Sequence, residues 1–140
     1  MGEEIQEWQY LWGAKVKMPT DVPDDILKDG VNTVRAKLEV RTRLLRALSH
    51  LVYSGSSPRA LSPSHYHNTL PCCDTQKYPD FEGEGGLKVV EEVKSEFDER
   101  WGPAWHCVMG KAFGSFVTHE TQNFMYFYIG DKACMLYKAG

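Results

Sequence analysis

The sequence predicts an α+β domain in which two helices pack on an antiparallel sheet. Two segments with apolar residues at helical spacing come first along the chain, and four strand-like runs follow towards the C-terminus. Helices that precede a group of strands indicate an α+β fold, whereas regular alternation of strands and helices would indicate a parallel sheet. The 140 residues are enough for one domain with some additional material.

Both helices have recognisable boundaries. The first is predicted within residues 21–39, where Pro23 suits the first helical position and two following aspartates place negative charge at the positive end of the helix dipole. The second is predicted over residues 86–102, with Gly102 and the proline after it as the stop signal. Its buried stripe is predicted to consist of Leu87, Val90, Val93, Phe97 and Trp101.

The sheet is predicted from β-forming residues and from the turns between them. The links GKA and GDK are typical of tight hairpins, whereas ETQN is a looser connection. The alternating segment AKVKM, at residues 14–18, predicts a short edge strand before the first helix. The four C-terminal strands are predicted at Trp105–Met109, Phe113–His119, Phe124–Ile129 and Ala133–Lys138.

Residues 1–14 form an N-terminal extension to this plan. They carry four large apolar residues at the spacing of one face of a short helix. Such a helix could pack back on its own domain or dock a partner, and the pattern supports both equally. The apolar residues are Ile5, Trp8, Leu11 and Trp12.

Residues 40–76 differ in composition from the rest of the chain. They hold four of the six arginines, none of the ten lysines and no glutamate. Leucines at helical spacing can extend the first helix into this segment, but the sequence after Gly55 has no period and is typical of a loop. If the segment is removed, Glu39 meets Lys77 and the flanks join naturally. We therefore interpret residues 15–140 as one domain, interrupted by an insertion or by a translated retained intron.

Composition and charge argue against several classes of protein. The net charge of −3, without a basic stripe, gives no electrostatic footprint for nucleic acid. No apolar run approaches the ~18 residues that a membrane span needs. The N-terminus MGEEIQEWQY is acidic where a signal peptide is basic, so we expect a cytoplasmic protein with four reduced cysteines and no membrane partner.

The polar residues near the C-terminus do not assemble into a catalytic pair. His106 and Cys107 are adjacent in a predicted strand, so their side chains point to opposite faces. Ser115 and His119 share a face but lie about 13 Å apart at strand spacing, too far for proton transfer. His119 also begins half of an HExxH zinc signature, but Asn123 stands where the second histidine belongs. We therefore expect no enzymatic activity and assign no catalytic residue.

A second group, in the segment HYHNTLPCC, has the chemistry of metal ligands. His65, His67, Cys72 and Cys73 all belong to residue types that bind zinc. Their spacing matches no common zinc module, and adjacent cysteines rarely chelate one ion well. A mobile loop is the favoured interpretation, so no metal and no cofactor are expected.

The predicted strand Phe113–His119 is instead suited to pairing with another chain. Gly114 and Ser115 leave its backbone accessible, and Tyr126 and Tyr128 present hydroxyls on one face of the next strand. An accessible strand edge beside polar aromatic residues is typical of β-augmentation, in which an extended peptide joins a sheet. An ordinary sheet edge explains the same pattern equally well.

One long motif resembles a known family. The stretch FDERWGPAWHCVMGKAFGSFVTHETQNFMYFYIG, at residues 97–130, is similar to the small dynein light chains, the dimeric hub light chains of dynein motors. The resemblance covers Leu87–Gly140 almost without a gap and Lys15–Glu39 more loosely. Residues 40–76 have no counterpart.

The resemblance implies a strand-swapped homodimer in which Phe113–Thr118 crosses to pair with the other subunit's sheet. Two peptide grooves would then flank the interface. The implied groove residues are Lys111, Phe113, Gly114, Ser115, Phe116, Val117, Thr118, His119 and Thr121, with Tyr126 and Tyr128 on the wall. The implied dimer contacts are His106, Phe113, Ser115 and Thr118.

The resemblance also implies partners and a location. The chain would dimerise with itself or a related light chain, and bind extended segments of dynein intermediate chains within the heavy-chain complex. It would lie in the cytoplasm and cytoskeleton, and in the axoneme of a cilium or flagellum as an outer-arm variant. A dynein-independent dimerisation hub that binds many short motifs is the alternative.

Departures from the family favour a dedicated subunit over a general hub. Family grooves use an acidic residue at the start of the second helix to recognise a glutamine, but Gly86 stands there and Glu84 is the nearest acid. Ala112 and Ala139 replace an asparagine and a serine of the family.

A further expectation concerns pH. A histidine buried at the subunit interface would be neutral, and protonating it there would cost free energy. We therefore expect the dimer to weaken towards about pH 5 through His106.

Overall fold

Two helices pack on one face of a five-stranded antiparallel sheet, which confirms the predicted fold class. The computed structural model describes residues 7–53 and 84–140. The strand order is β1-β2-β4-β5-β3. In chain order the elements are β1 (Trp8–Leu11), β2 (Ala14–Lys17), α1 (Asp24–Tyr53), α2 (Glu84–Trp101), β3 (Trp105–Gly110), β4 (Phe124–Ile129) and β5 (Lys132–Lys138).

The core lies between the helices and one face of the sheet. Alternate residues of β4 and β5 point into it, among them Met125, Phe127 and Leu136, and all three are fully buried. Phe97 of α2 meets Trp105 of β3 edge to face, with ring centroids 5.0 Å apart. The remaining side chains of each strand alternate with these and point to the opposite face of the sheet, which is called the outer face below.

The N-terminal extension forms a hairpin, so the predicted helix within residues 1–14 is wrong for the described part. Trp8–Leu11 pairs antiparallel with Ala14–Lys17. Trp12 and Gly13 form the two-residue turn, both with positive φ (48° and 74°), as a type I′ hairpin requires. The spacing of the apolar residues fits a helix as well as it fits a hairpin. A helix cannot continue through Trp12 and Gly13, because both residues have positive φ. The segment AKVKM is a strand as predicted, although β1 rather than β2 occupies the edge.

Helix α1 begins after Pro23, whose carbonyl accepts the first helical hydrogen bond from the Leu27 amide at 2.9 Å. Val31, Val34 and Leu38 are buried and lie at helical spacing along one face of α1. The helix then continues without a break to Tyr53, which confirms the predicted extension beyond residue 40. The later loop and HYHNTLPCC lie outside the described residues.

Gly30 allows α1 to lie close against the sheet. A Cβ atom built on it would come within 2.6 Å of the Met125 Sδ atom. Met125 is fully buried in β4 and has little space to move away. A side chain at position 30 would therefore force the Met125 side chain or the helix to move.

Helix α2 is fixed to α1 by ion pairs and to the sheet by apolar contacts. Lys37 of α1 contacts Glu92 at 3.2 Å and also Glu96, and a hydrogen bond from Lys37 to Glu96 raises the pKa of that lysine. Val93 is fully buried, but Leu87 is 65% exposed. The prediction of a buried Leu87 is therefore wrong, because this residue lies over the rim of the sheet, next to β3.

Three of the four predicted C-terminal strands are confirmed, with boundaries within one residue. The GDK link is the predicted tight hairpin between β4 and β5, because Ile129 pairs directly with Lys132. The fourth prediction is wrong for the single chain: Phe113–His119 is not a strand, and GKA does not close a hairpin. A strand needs a paired neighbour, and in the described residues β3 pairs only with β5.

Among residues 7–53 and 84–140, neither helix combines the length and apolar character needed to cross a membrane.

Candidate functional site

Residues 111–123, called the crossing segment, run from β3 across the outer face of the sheet to β4. Phe113 meets the Tyr126 ring at a centroid distance of 5.9 Å, and the Ser115 hydroxyl donates to the Met135 Sδ atom at 3.2 Å. The end of the segment is tied to β5, since the Glu120 amide donates to the Lys138 carbonyl at 2.8 Å. The segment therefore contacts the sheet through side chains along its length and through a backbone hydrogen bond at its end.

Most residues of the crossing segment face water. Phe116 is fully exposed, which is unusual for a side chain that gains so much free energy from burial. Among the implied groove residues, Phe113 and Val117 are half-buried. The exposed ones are Lys111, Gly114, Ser115, Phe116, Thr118, His119 and Thr121.

A cavity of about 420 Å³ opens where the crossing segment meets the sheet. It brings together four of the implied groove residues, whereas the remaining seven do not line it. The four are Phe113, Ser115, Tyr126 and Tyr128. The other walls are Trp8, Lys17, Met18, Pro19, Thr20 and Phe124.

Sequence reasoning missed the N-terminal wall of this cavity. The Trp8 ring lies 5.6 Å from the Tyr128 ring and 6.1 Å from the Tyr126 ring. Had the Trp12-Gly13 pair been interpreted as a hairpin turn, the alternation of β1 would have placed Trp8 on the outer face with these tyrosines.

The two tyrosines of the wall are coupled to each other. Their hydroxyl oxygens lie 3.3 Å apart, within hydrogen-bond distance. Burial, and then the hydrogen bond with Tyr128, raise the pKa of Tyr126 to about 12. The Tyr126 hydroxyl therefore stays protonated near neutral pH, and both hydroxyls can act as donors or acceptors towards a ligand.

A second depression, of about 490 Å³, lies between α2 and the edge of β3 that no described strand occupies. Leu87 and Val108 line it and are 65% and 38% exposed. His106 lines it too, with its ring stacked on Tyr137 at 5.1 Å. Of the implied dimer contacts, His106 thus lies at this depression, while the other three lie on the crossing segment.

The geometry does not assemble the catalytic pairs that the sequence raised. The Ser115 hydroxyl is bonded to Met135, while His119 stacks on Phe124 at 4.7 Å, with its Nδ1 2.9 Å from the Glu120 carbonyl oxygen. In the part of the chain that the structure describes, no group of three or more histidine, cysteine or acidic side chains is placed to hold a metal ion. The cluster in HYHNTLPCC lies outside that part.

The two described cysteines are free thiols on neighbouring strands. The side-chain hydrogen bond with Cys107, followed by complete burial, raises the pKa of the Cys134 thiol. Cys134 therefore stays protonated and acts as a small apolar group of the core.

Comparisons with known proteins give the family of the chain. A family model described as "Dynein light chain type 1" matches residues 67–139, which is more than half of the chain. The chain belongs to the dynein light chain family. The match includes α2, β3, the crossing segment, β4 and all of β5, but not the N-terminal hairpin.

Two relatives illustrate the range of similarity. This light chain is 50% identical over 52 residues to a dynein light chain of Schistosoma mansoni, a stretch that is 37% of this chain and 58% of that relative. The chain thus spans somewhat more than half the length of that curated relative. Among solved structures, the dynein light chain-like domain of the Fasciola hepatica calcium-binding protein FhCaBP2 is 14% identical, with a TM-score of 0.47 over 93% of this chain and 95% of that one.

Proposed function

We propose that this light chain is a non-catalytic subunit of a dynein motor complex that dimerises and binds extended peptide segments by β-strand addition. The observation that carries the proposal is the crossing segment: it is rich in β-forming residues and exposed, yet has no strand partner in the described chain. The family in general is non-catalytic, associates with dynein complexes, dimerises and is found with the cytoskeleton.

The unoccupied edge of β3 supports the dimer. A bare strand edge exposes a row of amide and carbonyl groups, which proteins normally cover or pair. The exposed side chains of Leu87 and Val108 flank this edge. Exchange of Phe113–Thr118 between two chains would pair the edge and cover both apolar groups, and it would bury His106.

Peptide binding follows from the same exchange. Once Phe113–Thr118 is paired along one side, its other side offers backbone groups to an extended peptide. Gly114 and Ser115 leave that backbone accessible, and the Tyr126–Tyr128 wall stands beside it. The implied groove residues named above would surround the bound segment.

The partners proposed are dynein intermediate chains, within the heavy-chain complex of ciliary or flagellar arms. Two grooves on one dimer suit two copies of an intermediate chain, because the second contact is intramolecular once the first has formed. Avidity then compensates for a weak single site. The Gly86 and Ala112 substitutions support a dedicated subunit over a hub with broad tolerance.

A single glycine permits a sharp test. A Cβ atom at Gly114 meets nothing within 4 Å, so Gly114→Val should leave the single-chain fold intact while blocking the close approach of a neighbouring strand. Ala112→Val, at an exposed position two residues earlier, is the matched control. Both baits and the unmodified chain would be used for affinity purification from a ciliated source, followed by mass spectrometry.

The proposal expects dynein intermediate and heavy chains to dominate the proteins bound by the unmodified chain and the control, and to disappear with Gly114→Val. Equal recovery with Gly114→Val would contradict strand addition. A diverse set of unrelated proteins would instead identify a dynein-independent hub.

A further inference from the structure

We propose that Trp8 is a specificity-determining residue of the peptide groove, where with Lys15 and Lys17 it selects segments that carry a large apolar side chain beside a carboxylate. This inference rests on the proposed function and deepens it. Trp8 belongs to β1, outside the residues that the family model matches, so the contribution comes from this chain's own extension.

The hairpin that carries Trp8 is firmly attached to the domain. The Arg35 guanidinium of α1 donates a hydrogen bond to the Trp12 carbonyl oxygen at the turn, and the Met18 amide donates to the Glu7 carbonyl oxygen at 2.7 Å. Leu11 packs against the core from the same strand. Trp8 is therefore held by a fixed strand and not by a loose tail.

The pocket has an aromatic floor and side walls. Trp8, Tyr126 and Tyr128 lie in mutual ring contact on the outer face, and Phe113 of the crossing segment extends them, with its ring 5.9 Å from that of Tyr126. An apolar or aromatic side chain gains free energy from burial against such rings. The cavity of about 420 Å³ is large enough for one such side chain.

Two lysines lie over the Trp8 ring, and one of them, Lys17, lines the pocket itself. The Lys15 Nζ atom lies 5.0 Å from the Trp8 ring centroid, and the Lys17 Nζ atom lies 6.0 Å from it. Both ammonium groups are thus positioned by the indole. Glu7 approaches Lys17 only to 4.0 Å, and both side chains are more than half exposed, so this pair is weak and a ligand carboxylate can replace it.

The location of the pocket connects it to the groove. Trp8, Tyr126 and Tyr128 belong to β1 and β4, so they keep their places when Phe113–Thr118 is exchanged, and the Tyr126–Tyr128 wall stands beside the groove in which the proposed peptide would lie. A peptide bound there would pass the pocket with one of its side chains. Trp8 would then decide which side chain is accepted at that position.

The test uses a library of random peptides displayed on phage, selected on the full chain and on four variants. Trp8→Ala removes the indole, Trp8→Phe retains a ring, and Lys17→Gln removes one lysine charge. Tyr10→Ala is the matched control, because Tyr10 lies on the same strand and face and is 80% exposed. Thermal unfolding of every variant reports whether the hairpin still folds.

The inference expects the unmodified chain, Trp8→Phe and Tyr10→Ala to enrich an apolar residue next to an acidic one at a fixed position. Trp8→Ala should reduce that enrichment about tenfold without changing the other positions. Lys17→Gln should weaken only the acidic preference.

Identical enrichment with Trp8→Ala, or tighter binding by it, would overturn the role of Trp8. If the unmodified chain enriches peptides without this preference, the inference fails and the proposed function stands. If it enriches no peptide at all, the proposed function itself fails.

Discussion

At the scale of single residues, Asp98 joins the end of α2 to the start of the sheet. Its Oδ1 atom accepts a hydrogen bond from the Trp105 amide at 3.0 Å, and its Oδ2 atom is bonded by the Lys94 ammonium. Desolvation by burial raises the pKa of Asp98, but the hydrogen bonds from Lys94 and Trp105 outweigh it, and the pKa lies below its ordinary value. The charged carboxylate therefore stabilises the folded chain.

The sign of this effect predicts acid sensitivity. A carboxylate with a lowered pKa contributes stability above the ordinary aspartate pKa, and this stability is lost as pH falls through the lowered value. Asp98→Asn keeps an acceptor for the Trp105 amide but loses the charge, so the free energy of unfolding should fall by about 1 kcal/mol near pH 7. Urea unfolding should show this difference shrinking at about pH 3. An equal loss at both pH values would contradict the electrostatic explanation.

The paired tyrosines of the wall make a prediction at alkaline pH. Because its pKa is raised to about 12, Tyr126 contributes stability below the ordinary tyrosine pKa, and this is lost as pH rises through about 12. Tyr128→Phe removes the hydrogen bond, so the pKa of Tyr126 should fall towards its ordinary value. Ultraviolet absorbance of the phenolates measures this directly. Tyr10→Phe is the control, and the same titration of Tyr126 in both variants would show that the hydroxyl contact has no effect.

At the scale of elements, β3 and the crossing segment decide how the chain assembles. Val108 projects from β3 into the depression beside α2 and is 38% exposed. The crossing segment leaves β3 at Gly110 and does not pair with it. The element that could pair with this edge therefore comes from another chain in the proposed assembly.

A charge at the β3 edge should block that assembly. Val108→Glu would bury a carboxylate in the dimer but leave it solvated in the single chain, so we expect dimerisation to weaken about 100-fold or more. Val40→Glu is the control, since Val40 on α1 is 64% exposed and lies away from this edge. Sedimentation velocity measures whether each variant is a monomer or a dimer. Equal sedimentation of both variants as dimers would show that the β3 edge is not the interface.

The elements also show how far the sequence could predict the fold. Helix α1 and the β4–β5 hairpin follow from spacing and from the Gly130-Asp131 turn, because local interactions determine both. The β1–β2 hairpin could not be distinguished from a helix, since it depends on a positive φ at Trp12, which non-glycine residues seldom adopt.

The candidate site was predictable in part. The tyrosine pair follows from strand alternation and lies on the outer face as expected. The strand at Phe113–His119 was predicted from composition, but pairing depends on a neighbour that local sequence does not specify. Trp8 was missed because its position depends on the hairpin and on a contact with residues more than a hundred positions away.

At the scale of the whole molecule, the pH response of the dimer remains a prediction. His106 is exposed on the described chain, beside Glu91 and Lys94 of α2 and stacked on Tyr137. If dimerisation buries it, the neutral form is favoured, so the dimer should be intact above neutrality and weaken towards about pH 5. Sedimentation across this range should show the loss, and His106→Gln should remove the pH dependence. A dimer of the unmodified chain that stays intact at about pH 5 would contradict the role of His106.

The central claim is that Phe113–Thr118 pairs with β3 of a second chain. The most direct measurement is isotope-filtered NMR on a sample that mixes labelled and unlabelled chains, because it detects contacts between chains only. We expect intermolecular contacts between the backbone of Phe113–Thr118 and β3. A spectrum without them, with only the contacts of Phe113 to Tyr126 and of Ser115 to Met135 within one chain, would contradict the account.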